Sequence, residues 1–171
     1  MKHASEFEAK TLDVKSLIAR PGVKHSYCTS FVPQDSWVGN NPYAFGGEGK
    51  LQVDVWFDEE DINVVGTIVV PMNYVCSRCG SNFEENLFIE VQEVLKSEPD
   101  EEHFTYKGNV VDFDKIIGEL VASNIPQQVL CRQDCKGICL ICGKNKNEES
   151  CKCGQNLGKN NPFGSLKDKF N

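Results

Sequence analysis

The sequence predicts an α+β fold: an antiparallel β meander covered by one helix and followed by a C-terminal cysteine-rich zinc knuckle. Three observations predict it: apolar residues alternating with polar ones between residues 51 and 92, a helical apolar repeat after Asp112, and eight cysteines gathered in four close pairs. With 171 residues, 40% of them apolar, the chain can bury one domain-sized core, and a metal-stapled appendage accounts for the cysteine-dense end. The expected divisions are an N-terminal segment with a long irregular connection over residues 1–49, a sheet-and-helix body over 50–130, and a zinc-binding region with a basic tail over 131–171.

Taken in order, residues 12–20 form a short amphipathic segment that Pro21 and Gly22 stop. Residues 23–49 are rich in Ser, Asn, Gly and aromatic residues and are expected to be irregular; Trp37, Tyr43 and Phe45 can pack on the body or on a partner, and packing is the commoner use of such rings. Cys28 lies here without a neighbouring thiol, so a small buried apolar role is expected of it. Leu51, Val53, Val55 and Phe57 then alternate with Gln52, Asp54, Trp56 and Asp58, an acidic turn follows at residues 59–61, and residues 62–75 are apolar and β-branched. Leu87, Ile89 and Val91 alternate in a third strand. Residues 97–108 are acidic and turn-rich, expected as a mobile loop. Asp112 caps a helix whose stripe is Phe113, Ile116, Ile117, Leu120 and Val121, ending at Asn124, Ile125 and Pro126.

The paired cysteines are Cys76 and Cys79, Cys131 and Cys135, Cys139 and Cys142, and Cys151 and Cys153. Four pairs suffice for two tetrahedral zinc ions, because zinc takes four thiolates at about 2.3 Å and a two- to four-residue loop lets two of them reach one ion. Gly80, Gly137 and Gly143 allow the tight turns this needs. One partition joins Cys76 and Cys79 to Cys131 and Cys135 and leaves Cys139, Cys142, Cys151 and Cys153 as a local site. Its rival is a local site of Cys131, Cys135, Cys139 and Cys142; the first is preferred because it leaves no orphan pair at Cys76 and Cys79.

Composition narrows the functional classes. No stretch reaches the roughly eighteen uncharged apolar residues of a membrane span. The first residues lack the apolar core of a secretory signal, which implies a reducing cytoplasm and disfavours cystines. Residues 1–75 carry six basic and ten acidic groups, 76–130 four and eleven, and 131–171 eight and four. An acidic body attracts Lys- and Arg-rich surfaces, whereas the basic end can reach RNA phosphates; ordinary solvation of surface charge is the plainer alternative. An enzyme needs an open metal position or an activated nucleophile, yet each site is closed by four thiolates and His3, His25 and His103 lie outside the cysteine motifs. Thiol exchange by the Cys76–Cys79 motif would call for a strand–helix setting, and here another strand follows. A DNA-reading finger would need a basic helix, while the one after Asp112 carries only Lys115.

Several strings together carry a family resemblance: Cys76-Ser-Arg78-Cys79-Gly-Ser-Asn-Phe83, the helix opening at Asp112, Pro126 ahead of Cys131, the block from Cys131 to Asn147 followed by Cys151-Lys-Cys153, and Asn161-Pro162-Phe163 with Leu166. From about residue 50 onward the chain resembles the YceD family of bacteria and plastids, the large ribosomal RNA subunit accumulation proteins. Some relatives place histidines where Cys131 and Cys135 stand, which fits a metal shared with Cys76 and Cys79. Leu140 stands where proline is usual and Lys146 where leucine is usual. The resemblance implies a non-catalytic ribosome biogenesis factor, cytoplasmic or, in plants, plastid. It would support accumulation of large-subunit ribosomal RNA by binding a basic ribosomal protein or the RNA of the large-subunit precursor, with no membrane and no small-molecule substrate.

Overall fold

The computed structural model describes residues 11–153. Its elements are β1 (Thr11–Asp13), α1 (Lys15–Ile18), β2 (His25–Phe31), a 3-10 turn (Asp35–Val38), β3 (Ala44–Phe45), β4 (Gly49–Asp58), β5 (Asp61–Val75), β6 (Asn82–Lys96), β7 (Phe104–Thr105), β8 (Val110–Asp112) and α2 (Phe113–Asn124). Six strands form one sheet in the order β2-β4-β5-β6-β7, with β3 alongside β5. β1 and β8 make a separate antiparallel pair. Among the described residues no helix is long and apolar enough to cross a membrane.

The centre of the sheet follows the alternation in the sequence. Leu51, Val53 and Val55 of β4 are buried, as are Ile62, Val64, Ile68, Val70, Met72 and Tyr74 of β5 and Ile89, Val91 and Leu95 of β6. β4 and β5 pair antiparallel down to Asp58 and Asp61, closing over Glu59 and Glu60, with Glu59 in the left-handed region at φ 54°. The connection from β5 to β6 over residues 76–81 is too short for a parallel crossover, so these strands run as a hairpin. Gly66 lets the backbones approach: a methyl there would sit 2.1 Å from the Gln52 carbonyl oxygen.

Three expectations change, and one pairing is new. Residues 23–49 are not wholly irregular: β2 pairs with β4 from His25↔Val55 to Phe31↔Gly49, and β3 pairs with β5. The signal was weak because β2 (HSYCTSF) is only half apolar and takes its order from its neighbour rather than its own propensity. Cys28 is exposed rather than buried, since Ser26, Cys28 and Ser30 share the outward side of that edge strand. Residues 97–108 are not simply a loop, because β7 adds to β6 in parallel, Leu95↔Phe104 and Lys96↔Thr105, which makes the sheet mixed. Finally, β8 returns to pair with β1, burying Leu12 and Val111 across from one another.

Helix α2 opens as expected, with the Asp112 carboxylate accepting from the backbone N–H of Asp114 at 3.1 Å, a cap contributing about 1 kcal/mol. Phe113, Ile116, Ile117 and Val121 are buried. Gly118 replaces a side chain where a methyl would lie 2.9 Å from Trp37 Nε1, so the indole rests against the helix. Trp37 is flanked by Phe31 and Phe45, with ring centroids 6.1 and 6.2 Å away. Of the aromatic residues of the 23–49 segment, Phe31 and Tyr43 are thus buried in the core, while Trp37 and Phe45 pack half-buried at its edge.

Tyr43 meets Tyr74 edge-on at 5.0 Å, and burial, reinforced by Glu85 and Tyr43, raises the Tyr74 phenol to about 12. A folded pKa above the unfolded 10 favours the neutral ring, so its stabilisation is complete below pH 10 and is lost as pH rises through 12. Tyr74→Phe is therefore expected to retain more of its stability above pH 10 than the parent, as denaturant midpoints across that range would register. An unchanged alkaline slope would contradict this.

Two compact units emerge: one takes in the described chain through Tyr74 together with Glu84–Gln127, the other Val75–Phe83 together with the chain from Gln128. The first cysteine turn, although inserted between two long strands, belongs with the C-terminal cysteines.

Candidate metal centres

The two Cys-x-x-Cys-Gly turns are built alike. In Cys76-Ser-Arg-Cys79-Gly80, the Cys76 N–H donates to the Ser81 carbonyl at 2.9 Å and the Gly80 N–H to the Cys76 carbonyl at 2.9 Å. In Cys139-Leu-Ile-Cys142-Gly143, the Cys139 N–H donates to Lys144 and the Gly143 N–H to Cys139, each at 2.8 Å. Both glycines sit at φ 72°, a conformation that a side chain would strain. The repeat follows from sequence: thiol, two residues, thiol, glycine curls the chain so that both sulfurs and several N–H groups face one point.

Each turn meets a second pair. After α2, the chain is stitched to the first turn by Ser77 N–H to Val129 O at 2.8 Å and Val129 N–H to Ser77 Oγ at 3.1 Å. Cys131 and Cys135 then arrive beside Cys76 and Cys79, with Sγ separations of 3.8 Å for Cys76–Cys135 and 3.7 Å for Cys79–Cys131. Four sulfurs about 2.3 Å from one ion stand about 3.8 Å apart along the edges of a tetrahedron. Disulfide sulfurs lie at about 2.05 Å, and all nine cysteines are free. In the second group Cys139, Cys142, Cys151 and Cys153 gather, and in both groups all four sulfurs lie within 4.8 Å of one another. The alternative group of Cys131, Cys135, Cys139 and Cys142 is not one that the structure brings together.

The two groups differ in setting. Cys76, Cys79 and Cys135 are buried against Phe83 and Leu130, whereas Cys142 is exposed and Cys151 and Cys153 are half-buried. Burial pushes the Cys76 thiol up, but hydrogen bonds from the backbone at Cys131, Arg78 and Cys79 outweigh it and hold it at about 6. The Ser81 hydroxyl, 3.4 Å from its sulfur, lowers Cys79. Cys131 is raised to about 12 by burial and by the sulfurs of Cys79, Cys76 and Cys135. In the second group the backbone at Cys142 and Ile141 holds Cys139 at about 6, while the Cys142 sulfur and then burial raise Cys153 to about 11, and Cys139 raises Cys151. In both groups, then, some thiols are prepared as thiolates while others are kept protonated by burial and by the neighbouring sulfurs. A dication removes that conflict. Either set could hold one metal ion, and four soft donors in a tetrahedral arrangement favour zinc or iron over calcium or magnesium.

Supporting residues that spacing did not reveal lie around the sulfurs. Asn147 Nδ2 donates to Cys135 Sγ at 3.3 Å, its Oδ1 accepts from the Lys136 N–H at 2.8 Å, and Asn145 Nδ2 donates to Ser81 Oγ at 3.3 Å. Such contacts orient metal ligands. The only sequence hint was the Lys144-Asn-Lys-Asn147 string between the cysteine pairs. Gly137, at φ 70°, leaves room for the Arg78 carbonyl, which accepts from the Ile138 N–H at 3.1 Å, and Arg78 Nη1 donates to the Cys135 carbonyl at 3.2 Å. Of the histidines, His25 lies on β2, His103 contacts Asp100 at 2.8 Å, and His3 lies outside the described residues. The Asn161-Pro-Phe163 string and Leu166 also lie outside them.

A family model described as "Large ribosomal RNA subunit accumulation protein YceD" matches residues 64–168. A curated chloroplast protein of Arabidopsis thaliana, "Large ribosomal RNA subunit accumulation protein YCED homolog 1", is 25% identical over 164 residues, covering 75% of this chain and 51% of its own length. The chain therefore spans about half the length of that relative. An uncharacterised protein of Mycobacterium tuberculosis is 24% identical over 143 residues, covering 78% of this chain and 69% of its own length. No solved structure matches.

Proposed function

Because this chain belongs to the YceD family of large ribosomal RNA subunit accumulation proteins, we propose that it is a non-catalytic assembly factor on which large-subunit ribosomal RNA depends to accumulate. In this reading the eight paired cysteines hold two structural zinc ions, one with Cys76, Cys79, Cys131 and Cys135 and one with Cys139, Cys142, Cys151 and Cys153. The observation that carries the metal assignment is the 3.7–3.8 Å sulfur spacing of unbridged thiols. Four thiolates around one ion leave no position for water or substrate, which supports a structural rather than a catalytic role.

The partners follow from charge. Residues 1–130 carry 21 acidic against 10 basic groups, which suits a basic ribosomal protein, and the surplus of lysines after residue 131 suits RNA. The factor would act in the cytoplasm, or in the plastid in plant relatives. Deleting the gene should lower large-subunit RNA relative to small-subunit RNA, as gel quantification of total RNA would read. An unchanged ratio would overturn the role, while elemental analysis of the purified protein tests the zinc independently.

A further inference from the structure

One surface of the larger unit carries a narrower inference, which rests on the assembly-factor reading. Along β6, Ile89 and Val91 turn into the core while Phe88, Glu90 and Gln92 turn outward. Phe88 is 71% exposed on a strand whose alternate positions, Ile89 and Val91, are buried, so its ring is open to a partner. Carboxylates surround it in sequence: Glu84, Glu85, Glu90 and Glu93 lie on β6, and its only base, Lys96, is tied to Asp61 at 2.6 Å. Among the described residues no ion pair engages Glu84, Glu85 or Glu90. Beside Glu84 and Glu85 opens a cavity of about 270 Å³, also lined by Gly46, Pro71 and Asn73, with room for a lysine or arginine head group.

We propose that the outward face of β6 from Glu84 to Glu90, centred on Phe88, docks an extended lysine- and arginine-rich polypeptide segment. A guanidinium stacks on a phenyl face, and the aliphatic stems of Lys and Arg cover it. Phe88 and Glu90 are spaced by two strand residues, about 7 Å, and an extended partner presents alternate side chains at that same pitch. Charge selects against nucleic acid here, since phosphates would approach unneutralised carboxylates. The basic partner that the assembly role requires thus has a specific seat.

The test uses the full chain with its metal and a fluorescein-labelled synthetic peptide of alternating Arg and Thr, read by anisotropy, with single-stranded RNA as competitor. The parent should bind the peptide and RNA should not displace it from the protein. Glu84→Gln with Glu90→Gln should weaken binding at least about tenfold, and Phe88→Ala at least about threefold even in salt that screens exposed charges. Glu101→Gln with Glu102→Gln, exposed beyond the end of β6, should bind as the parent does. All these positions are exposed, so thermal melts should match the parent's and exclude misfolding. Equal loss in the control pair, no loss in Phe88→Ala, or RNA binding to this protein more tightly than the peptide would each overturn the proposal. Returning Phe88→Ala to a deletion strain separates the two readings. Full rescue of ribosomal RNA would sink the surface and keep the role; a deletion without effect, alongside peptide binding, would do the reverse.

Discussion

Cys76→Ser is expected to abolish metal binding at the first of the two proposed sites and to unfold the surroundings of the first cysteine turn. Among the described residues of the smaller unit, the buried ones are mostly the thiols themselves, Cys76, Cys79, Cys135 and Cys139, with Phe83 and Leu130 only partly buried. Those described residues offer little apolar core to fall back on. Structural zinc binding contributes on the order of 10 kcal/mol, comparable with the whole stability of a small domain. Cys139→Ser should likewise lose the second ion and leave the first, whereas Cys28→Ser, exposed and outside both groups, should keep both. Elemental analysis combined with hydrogen exchange of residues 128–153 would check this, and a Cys76→Ser protein that retained two ions would refute the assignment.

Acid should act in the same direction as chelation. Cys76 and Cys139 are held at about 6 against an ordinary value of 9, so their contribution is complete above pH 9 and is lost as pH falls through 6. Metal release should follow acidification, because protons compete with the ion for the thiolates, and should come first from the second group, whose Cys142 is exposed; a colorimetric zinc indicator would follow it.

Gly66→Ala should be the most damaging single-methyl change in the sheet. The added carbon would lie 2.1 Å from the Gln52 oxygen and 2.6 Å from the Val53 Cα, and both contacts are with the backbone of the neighbouring strand. Backbone in the middle of a ladder cannot swing aside, so β4 and β5 would have to separate at Val53↔Gly66. A loss of about 3 kcal/mol or more is expected, seen as a lower denaturant midpoint. Gly47→Ala is the control, because nothing lies within 4 Å of its added methyl. Gly118→Ala falls between them, since it meets the Trp37 ring rather than backbone. Equal midpoints for the Gly66 and Gly47 variants would show that the strands tolerate separation.

Much of the fold and of the candidate centres is legible in local pattern. Alternation placed the inner faces of β4 and β6, and the Asp112 cap with its apolar stripe placed α2, because these signals lie within one element and depend on its own period. The cysteine pairs are equally local, since one to three intervening residues set two sulfurs within reach of one ion whatever the rest of the chain does. Long-range choices were not so written. Asn147 reaches the Cys135 sulfur only once the turns have folded together.

The amino-acid order alone therefore determined the central strands, the helix and its cap, the two matching cysteine turns and their soft-metal chemistry. Tertiary structure decided which pair meets which, across the fifty or so residues between Cys79 and Cys131, and it decided that His25–Phe31 is an edge strand. The physical reason is that closure between distant segments is set by what buries apolar surface and completes backbone hydrogen bonds for the whole molecule. A weakly apolar strand such as β2 takes its conformation from the partner it pairs with, and no window of its own sequence holds that information.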